Sequence, residues 1–300
     1  MSLGAAPAAS YADAAAARLA AAYAHCGRIA RTHYENFTIG SWLLPRRVRH
    51  DLAAVYAFAR GADDLADEGA TAAADRLAGL AAWEERLLAC ARDPAAADDP
   101  VFLALGHTIA RHDLPLEPLR DLLAAFRRDA AGDTAALATF ADVLAYCRCS
   151  ADPVGRIVLA LFGYRDPERQ ARADDICTAL QLTNFWQDVA GDLARGRVYL
   201  PQEDLDRFPE SRAALAARAA NDDFRRLLAF EVARTRDLFA RGLALAGMVR
   251  GRLAREVRLF ARGGLAILGR IAAADYDVFA RRPTLTRGDL ARLVLRGLLG

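Results

Sequence analysis

In LQLTNFWQDVAGDLARGRVYLP, Leu180 to Pro201, the polar residues Gln181, Asn184, Asp188 and Asp192 recur at spacings of three and four. At about 100° per residue those spacings return to one face of a helix, so the stretch predicts a helix whose single stripe carries two amides and two carboxylates. Phe185, Trp186 and Val189 flank the stripe, so the acids border apolar surface and not open water. Upstream, VYAFARGADDLADEG repeats the arrangement, with Tyr56, Arg60, Asp63 and Asp67 on one stripe by the same rule. One pair of aspartates four residues apart reads as a solvated face; two such stripes in one chain ask for another explanation. If they meet across a bundle, each close carboxylate pair repels by about 4 kcal/mol at an effective dielectric near 20, and divalent cations are the natural compensation. Oxygen donors with no histidine or thiolate beside them suit Mg²⁺, which shares its coordination with substrate phosphates. Arg60 and Arg197 are then placed to meet phosphate oxygens, and the pattern reads as a clamp for a diphosphate.

Outward from these stripes the chain is helical throughout. Its 300 residues are 54% hydrophobic and 26% charged, which is material for a globular core. Helices are expected over 11–31, from Pro45 through Asp67, and over 72–91, 101–111, 116–131, 137–149, 153–161, 167–193, 211–221, 223–247 and 250–275. Sustained alternation of period two is absent. A short basic amphipathic helix is expected from Thr286 to Leu298, with Leu290, Val294 and Leu298 on one side. With residues 1–10 read as a loose N-terminus, residues 11–300 are expected to form one large all-α domain.

Composition excludes several functions. The net charge of +2, with acids and bases interspersed, lacks the footprint of a nucleic-acid binder. No lysine occurs, which removes a Walker A lysine, a Schiff base and a lysine general base together. Cys26, Cys90, Cys147, Cys149 and Cys177 are scattered and odd in number, which points to reduced thiols in a cytoplasmic protein. His107 and His112 stand too far apart to share a helix face and read as a solvated pair. No apolar run approaches the roughly 20 residues of a membrane span, so membrane contact is expected at most as peripheral association through the C-terminal helix.

The residues DDLAD and QLTNFWQDVAGDLARGRVYLP resemble the paired aspartate motifs of the squalene/phytoene synthase family, over about His33 to Pro283. That resemblance implies the all-α class I isoprenoid synthase fold. It implies Mg²⁺ and diphosphate binding by Asp63, Asp67, Asn184, Asp188 and Asp192, with Arg60, Gln181, Arg197 and Tyr199 in support. Phe37, Tyr56, Tyr146, Cys149, Phe185 and Trp186 are the expected pocket residues, although for any single aromatic core packing is the simpler reading. The ENF after His33 and the NFWQD form of the second motif are similar to the branch that makes hydroxysqualene for hopanoids. Members that join two prenyl diphosphates read like YCxYVAGxVG where this chain has YCRCSADPVG, Tyr146 to Gly155, so Cys149 replaces a tyrosine implicated in forming presqualene diphosphate. Gly264 stands where a second tyrosine is expected. The resemblance therefore implies an enzyme that receives presqualene diphosphate ready-made from a separate synthase and converts it without NADPH. The alternatives are a head-to-head squalene or phytoene synthase, and a noncatalytic helical assembly factor of the same fold.

Overall fold

The structure, a computed structural model, describes residues 6–32, 45–67, 71–132, 137–286 and 288–289. These residues form helices without any strand, arranged as two compact units, Met1–Ala131 with Ala160–Gly163 and Gly132–Leu159 with Tyr164–Gly300.

The first unit holds α1 (Ala6–Thr32), α2 (Arg46–Asp67), α3 (Ala73–Arg92), α4 (Pro100–His112) and α5 (Glu117–Ala130). Asp99 caps α4 through the Val101 N–H at 2.7 Å, and Pro100 at the first position has no N–H to satisfy. α2 lies against α1, α3, α4 and α5. Its Gly61 leaves room for Trp83 of α3, which packs edge-on to Phe102 of α4 at 4.7 Å. A polar knot fastens α1, α2 and α4. Asp51, fully buried, accepts from Tyr23 at 3.3 Å, Thr108 at 3.2 Å and Arg111 at 3.3 Å, while His112 Nε2 lies 2.8 Å from its other oxygen. The solvated histidine pair expected from sequence is thus corrected for His112, because a buried carboxylate needs donors and this ring supplies one.

The second unit contains α6 (Phe140–Ser150), most of α7 (Asp152–Leu161), α8 (Pro167–Ala194), α9 (Gln202–Arg207), α10 (Ser211–Ala217), α11 (Asp222–Gly242), α12 (Leu245–Met248) and α13 (Gly251–Ala273). α8 is the spine, packed by α6, α11, α12 and α13. It starts where the Asp166 carboxylate accepts from the Arg169 N–H at 3.0 Å, followed by Pro167. Trp186, without exposed surface, donates from Nε1 to Thr235 Oγ1 of α11 at 2.8 Å, so its indole is both core and tie. A second tie is ionic: Arg234 of α11 bonds Glu231 on its own helix and reaches Asp204 of α9 at 2.6 Å.

Local chemistry moves several helix ends. Thr139 and Asp142 form a reciprocal capping box, so α6 begins at Phe140 and not at Leu137. Arg218 adopts a left-handed φ of 52°, which stops α10 early, and Asn221 serves as the cap of α11. The helix expected over 223–247 is broken after Gly242 into α11 and α12, and α9 was not anticipated because six residues carry too little periodicity to register. At the C-terminal side Thr286 and Asp289 exchange capping bonds, the N–H of Thr286 donating to Asp289 Oδ2 at 2.8 Å. The remainder of the predicted terminal helix lies outside the described residues, and among those described no helix is long and apolar enough to cross a membrane.

Candidate active site

The α2 face carries its acids where sequence spacing puts them. Arg60 Nη1 donates to Asp63 Oδ2 at 3.0 Å, and Nη2 bonds Asp64, the acid between the two expected ones. The pair is legible from the three-residue spacing alone. Burial raises the Asp63 carboxyl above its usual range and the neighbouring Asp67 raises it further, with Asp129 of α5 adding negative charge from another helix. Arg60 offsets part of this. Tyr56, one turn before Arg60, is half-buried.

On α8 the second face is fully described. Asn184 is exposed, while Gln181, Asp188 and Asp192 are half-buried. The Asp192 carboxyl is pushed up to about 6 by burial and by Asp188 four residues before it. Arg195, Arg197 and Arg282 pull in the other direction, and do not overcome burial. Local backbone explains two of them. Gly196 takes a φ of +74°, a left-handed turn open to glycine at little cost, and it folds the chain so that the Arg197 N–H donates to Asp192 O at 2.9 Å. Arg195 Nη1 then lies 3.7 Å from Asp192 Oδ1.

Arg282 is the residue that sequence reasoning missed. Its Nη2 donates to Asp188 Oδ2 at 2.9 Å and its Nε bonds Asp188 Oδ1, a two-pronged fork across 94 positions of chain. The adjacent Gln187, buried, donates from Nε2 to the Pro283 carbonyl and pins the same segment to α8. YDVFARRP was visible as a motif, yet nothing in its spacing shows which acid its arginines meet.

Of the aromatic candidates of this unit, Phe185, Trp186 and Tyr199 line one cavity with Asp192. Tyr199 is buried and stacked on Phe185 with ring centres 3.9 Å apart, and Tyr146 of α6 lies 5.8 Å from Tyr199 and 6.0 Å from Phe185. Cys149, one turn further along α6, is half-buried. At Gly264 on α13, an added Cβ would collide with the Phe239 ring and lie 3.1 Å from Leu180 Cδ2, so neighbouring core side chains already fill the space. Phe37 lies outside the described residues.

The donor set is all oxygen, and among the described residues no three acid, histidine or cysteine side chains converge to hold an ion unaided. Paired acids beside arginines fit a hard cation that completes its coordination with anionic ligand oxygens.

The chain matches the family model described as squalene/phytoene synthase over residues 30–289. It is 44% identical to the crystal structure of squalene synthase HpnC from Alicyclobacillus acidocaldarius, covering 87% of this chain and 97% of that one with a TM-score of 0.82. A dehydrosqualene synthase solved in complex with ligand is 25% identical, covering 94% and 96%, also with a TM-score of 0.82. The 15-cis-phytoene synthase of Synechococcus elongatus is 33% identical over 287 residues, 89% of each chain. A family match across most of the length, on an all-α fold that keeps both acid faces, makes the chain an isoprenoid synthase of the squalene/phytoene synthase family.

Proposed function

We propose that this synthase ionises presqualene diphosphate, lets the cyclopropylcarbinyl cation rearrange, and captures it with water to give hydroxysqualene and free diphosphate, a step towards squalene and hopanoids. The observation that carries the choice of substrate is what α6 and α13 lack: Cys149 stands in place of one tyrosine, and Phe239 with Leu180 occupies the space beside Gly264 where another is expected. The similarity to the HpnC structure supports the same branch.

Asp63 and Asp67 on α2, and Asn184, Asp188 and Asp192 on α8, are the residues that would hold Mg²⁺. Bound magnesium supplies positive charge that stabilises the departing diphosphate. Arg60, Arg197 and Arg282 offer guanidinium donors to the phosphate oxygens, with Gln181 and Tyr199 as further donors. Apolar walls keep bulk water from the cation until rearrangement is complete. NADPH has no part in a sequence that ends in an alcohol.

The test is turnover of presqualene diphosphate with Mg²⁺ alone in ¹⁸O-labelled water. Hydroxysqualene carrying the label is the expected product; unlabelled alcohol, or no diphosphate release, would refute the reading. The head-to-head alternative has its support in the phytoene synthases among the relatives. Intact acid faces and family membership leave the noncatalytic alternative without support.

Arg282 gives a separate expectation. Arg282→Ala should lower kcat/KM on the order of 10²-fold, as for loss of one preorganised charge-stabilising donor. The melting temperature should move little, because an ion pair this exposed contributes about 0–1 kcal/mol. Arg282→Lys should rescue only weakly, since an ammonium cannot form the fork on Asp188. Equal kcat/KM in wild type and Arg282→Ala would remove Arg282 from the site.

A further inference from the structure

The outer side of α13 is basic without relief. Between Arg250 and Ala274 stand six arginines and a single acid, Glu256, which is 3% exposed and so absent from the surface. Spacings of three, three and four residues put Arg252, Arg255, Arg258 and Arg262 on one side of the helix, while Val257, Ala261, Gly264 and Leu268 on the other are buried. Arg252 and Arg255 are exposed, Arg258 and Arg262 half-exposed. Elsewhere in this unit arginines find acids: Arg156 meets Asp174, Arg172 and Arg241 meet Asp175, and Arg234 meets Glu231. Arg250, Arg252, Arg255 and Arg258 have no ion pair or hydrogen bond among the described residues.

This arrangement works against the helix that carries it. α13 has no acid in its first turn and no side-chain cap, so Arg252 and Arg255 stand at the positive end of the helix dipole, where acids are favoured. α11, by contrast, opens on Asp222 and Asp223. Arg258 and Arg262, four residues apart, add like-charge repulsion. Charge gathered on one face at a cost to its own helix calls for an anion outside the chain. A protein partner would need an apolar centre of contact, and this face has none: its other residues are Gly251, Ala266, Gly269 and Ala273, and no large hydrophobic side chain is exposed on it. A bilayer surface needs no such centre, since its phosphates form a continuous layer of negative charge that guanidinium groups meet through charge-assisted hydrogen bonds. The long hydrocarbons that a synthase of this family handles dissolve in a bilayer and not in water.

We propose that the arginine face of α13 docks the enzyme on an anionic phospholipid bilayer. The contact is electrostatic and without insertion, because the apolar side of α13 is already spent on the core. It depends on membership of the family and not on the choice of presqualene diphosphate as substrate.

The experiment is cosedimentation of the full chain with vesicles of equal parts phosphatidylglycerol and phosphatidylcholine, at about 0.1 M salt, where charges act over about 10 Å. Wild type should pellet with these vesicles and stay in solution with phosphatidylcholine alone. The triple variant Arg252→Gln, Arg255→Gln, Arg258→Gln should bind on the order of 10²-fold more weakly. Its melting temperature should not fall, because these side chains have no partner to lose. A control triple variant, Arg31→Gln, Arg92→Gln and Arg236→Gln on α1, α3 and α11, removes the same net charge and should bind nearly as wild type does. Raising salt to about 1 M, where charges act over only about 3 Å, should release the wild type. Equal weakening in the two triple variants would reduce the effect to net charge and overturn the proposal. Undiminished binding by the α13 variant, or binding that survives about 1 M salt, would overturn it by placing the contact on another segment. Wild type that ignores anionic vesicles would overturn it and leave the face to an acidic protein. None of these outcomes depends on which product forms, so this proposal and the functional reading fail separately.

Discussion

Asp63→Asn and Asp188→Asn each lose turnover of presqualene diphosphate on the order of 10³-fold while remaining folded. The carboxylates are expected to serve cation and diphosphate binding, and an amide keeps the shape but removes the charge. Folding is spared for different reasons in the two. Asp63 is already held above the usual carboxylate range by burial and by Asp67, so removing its charge relieves repulsion. Asp188 loses only a partly exposed pair with Arg282. A second measurement separates binding from catalysis: Mg²⁺ with inorganic pyrophosphate should raise the wild-type melting temperature, by about 2.7 kcal/mol of linkage at a hundredfold excess over Kd. The double variant should show no such rise. Activity within a few-fold of wild type in either single variant, or an equal thermal shift in the double variant, would dismiss the assignment of these faces.

Two molecules of farnesyl diphosphate should give almost no product with this enzyme, even with Mg²⁺ and NADPH supplied. The rate should lie below that on presqualene diphosphate by about 10²-fold or more, the usual loss when a positioned proton-transfer group is missing. Cys149 offers a thiol where the family motif has a phenol, and at Gly264 the Phe239 ring fills the volume that a second tyrosine would need. Efficient conversion of farnesyl diphosphate to squalene would make the chain an ordinary squalene synthase and cancel the reading of Cys149. A single-turnover assay with each substrate decides the matter, because it reports chemistry without product release.

Local order was open to sequence because its causes are local. Apolar spacing acts within a few residues of what it controls, so most helices and both acid stripes could be placed in advance, whereas the ends set by the Thr139 and Asn221 caps were not. The Arg60–Asp63 pair followed from spacing on one helix. Contacts across distant parts of the chain were decided only by tertiary packing. The fork of Arg282 on Asp188 spans 94 positions, and the seat of His112 on Asp51 spans 61. Whether Gly264 faced open space or the Phe239 ring depended on how α13 lies on α8 and α11. Glu256 is the sharpest case. In sequence it is one glutamate in a basic helix, and only the burial of both its oxygens without a donor makes it chemically distinct, since desolvation is a property of everything packed around a group and not of the residues beside it in the chain.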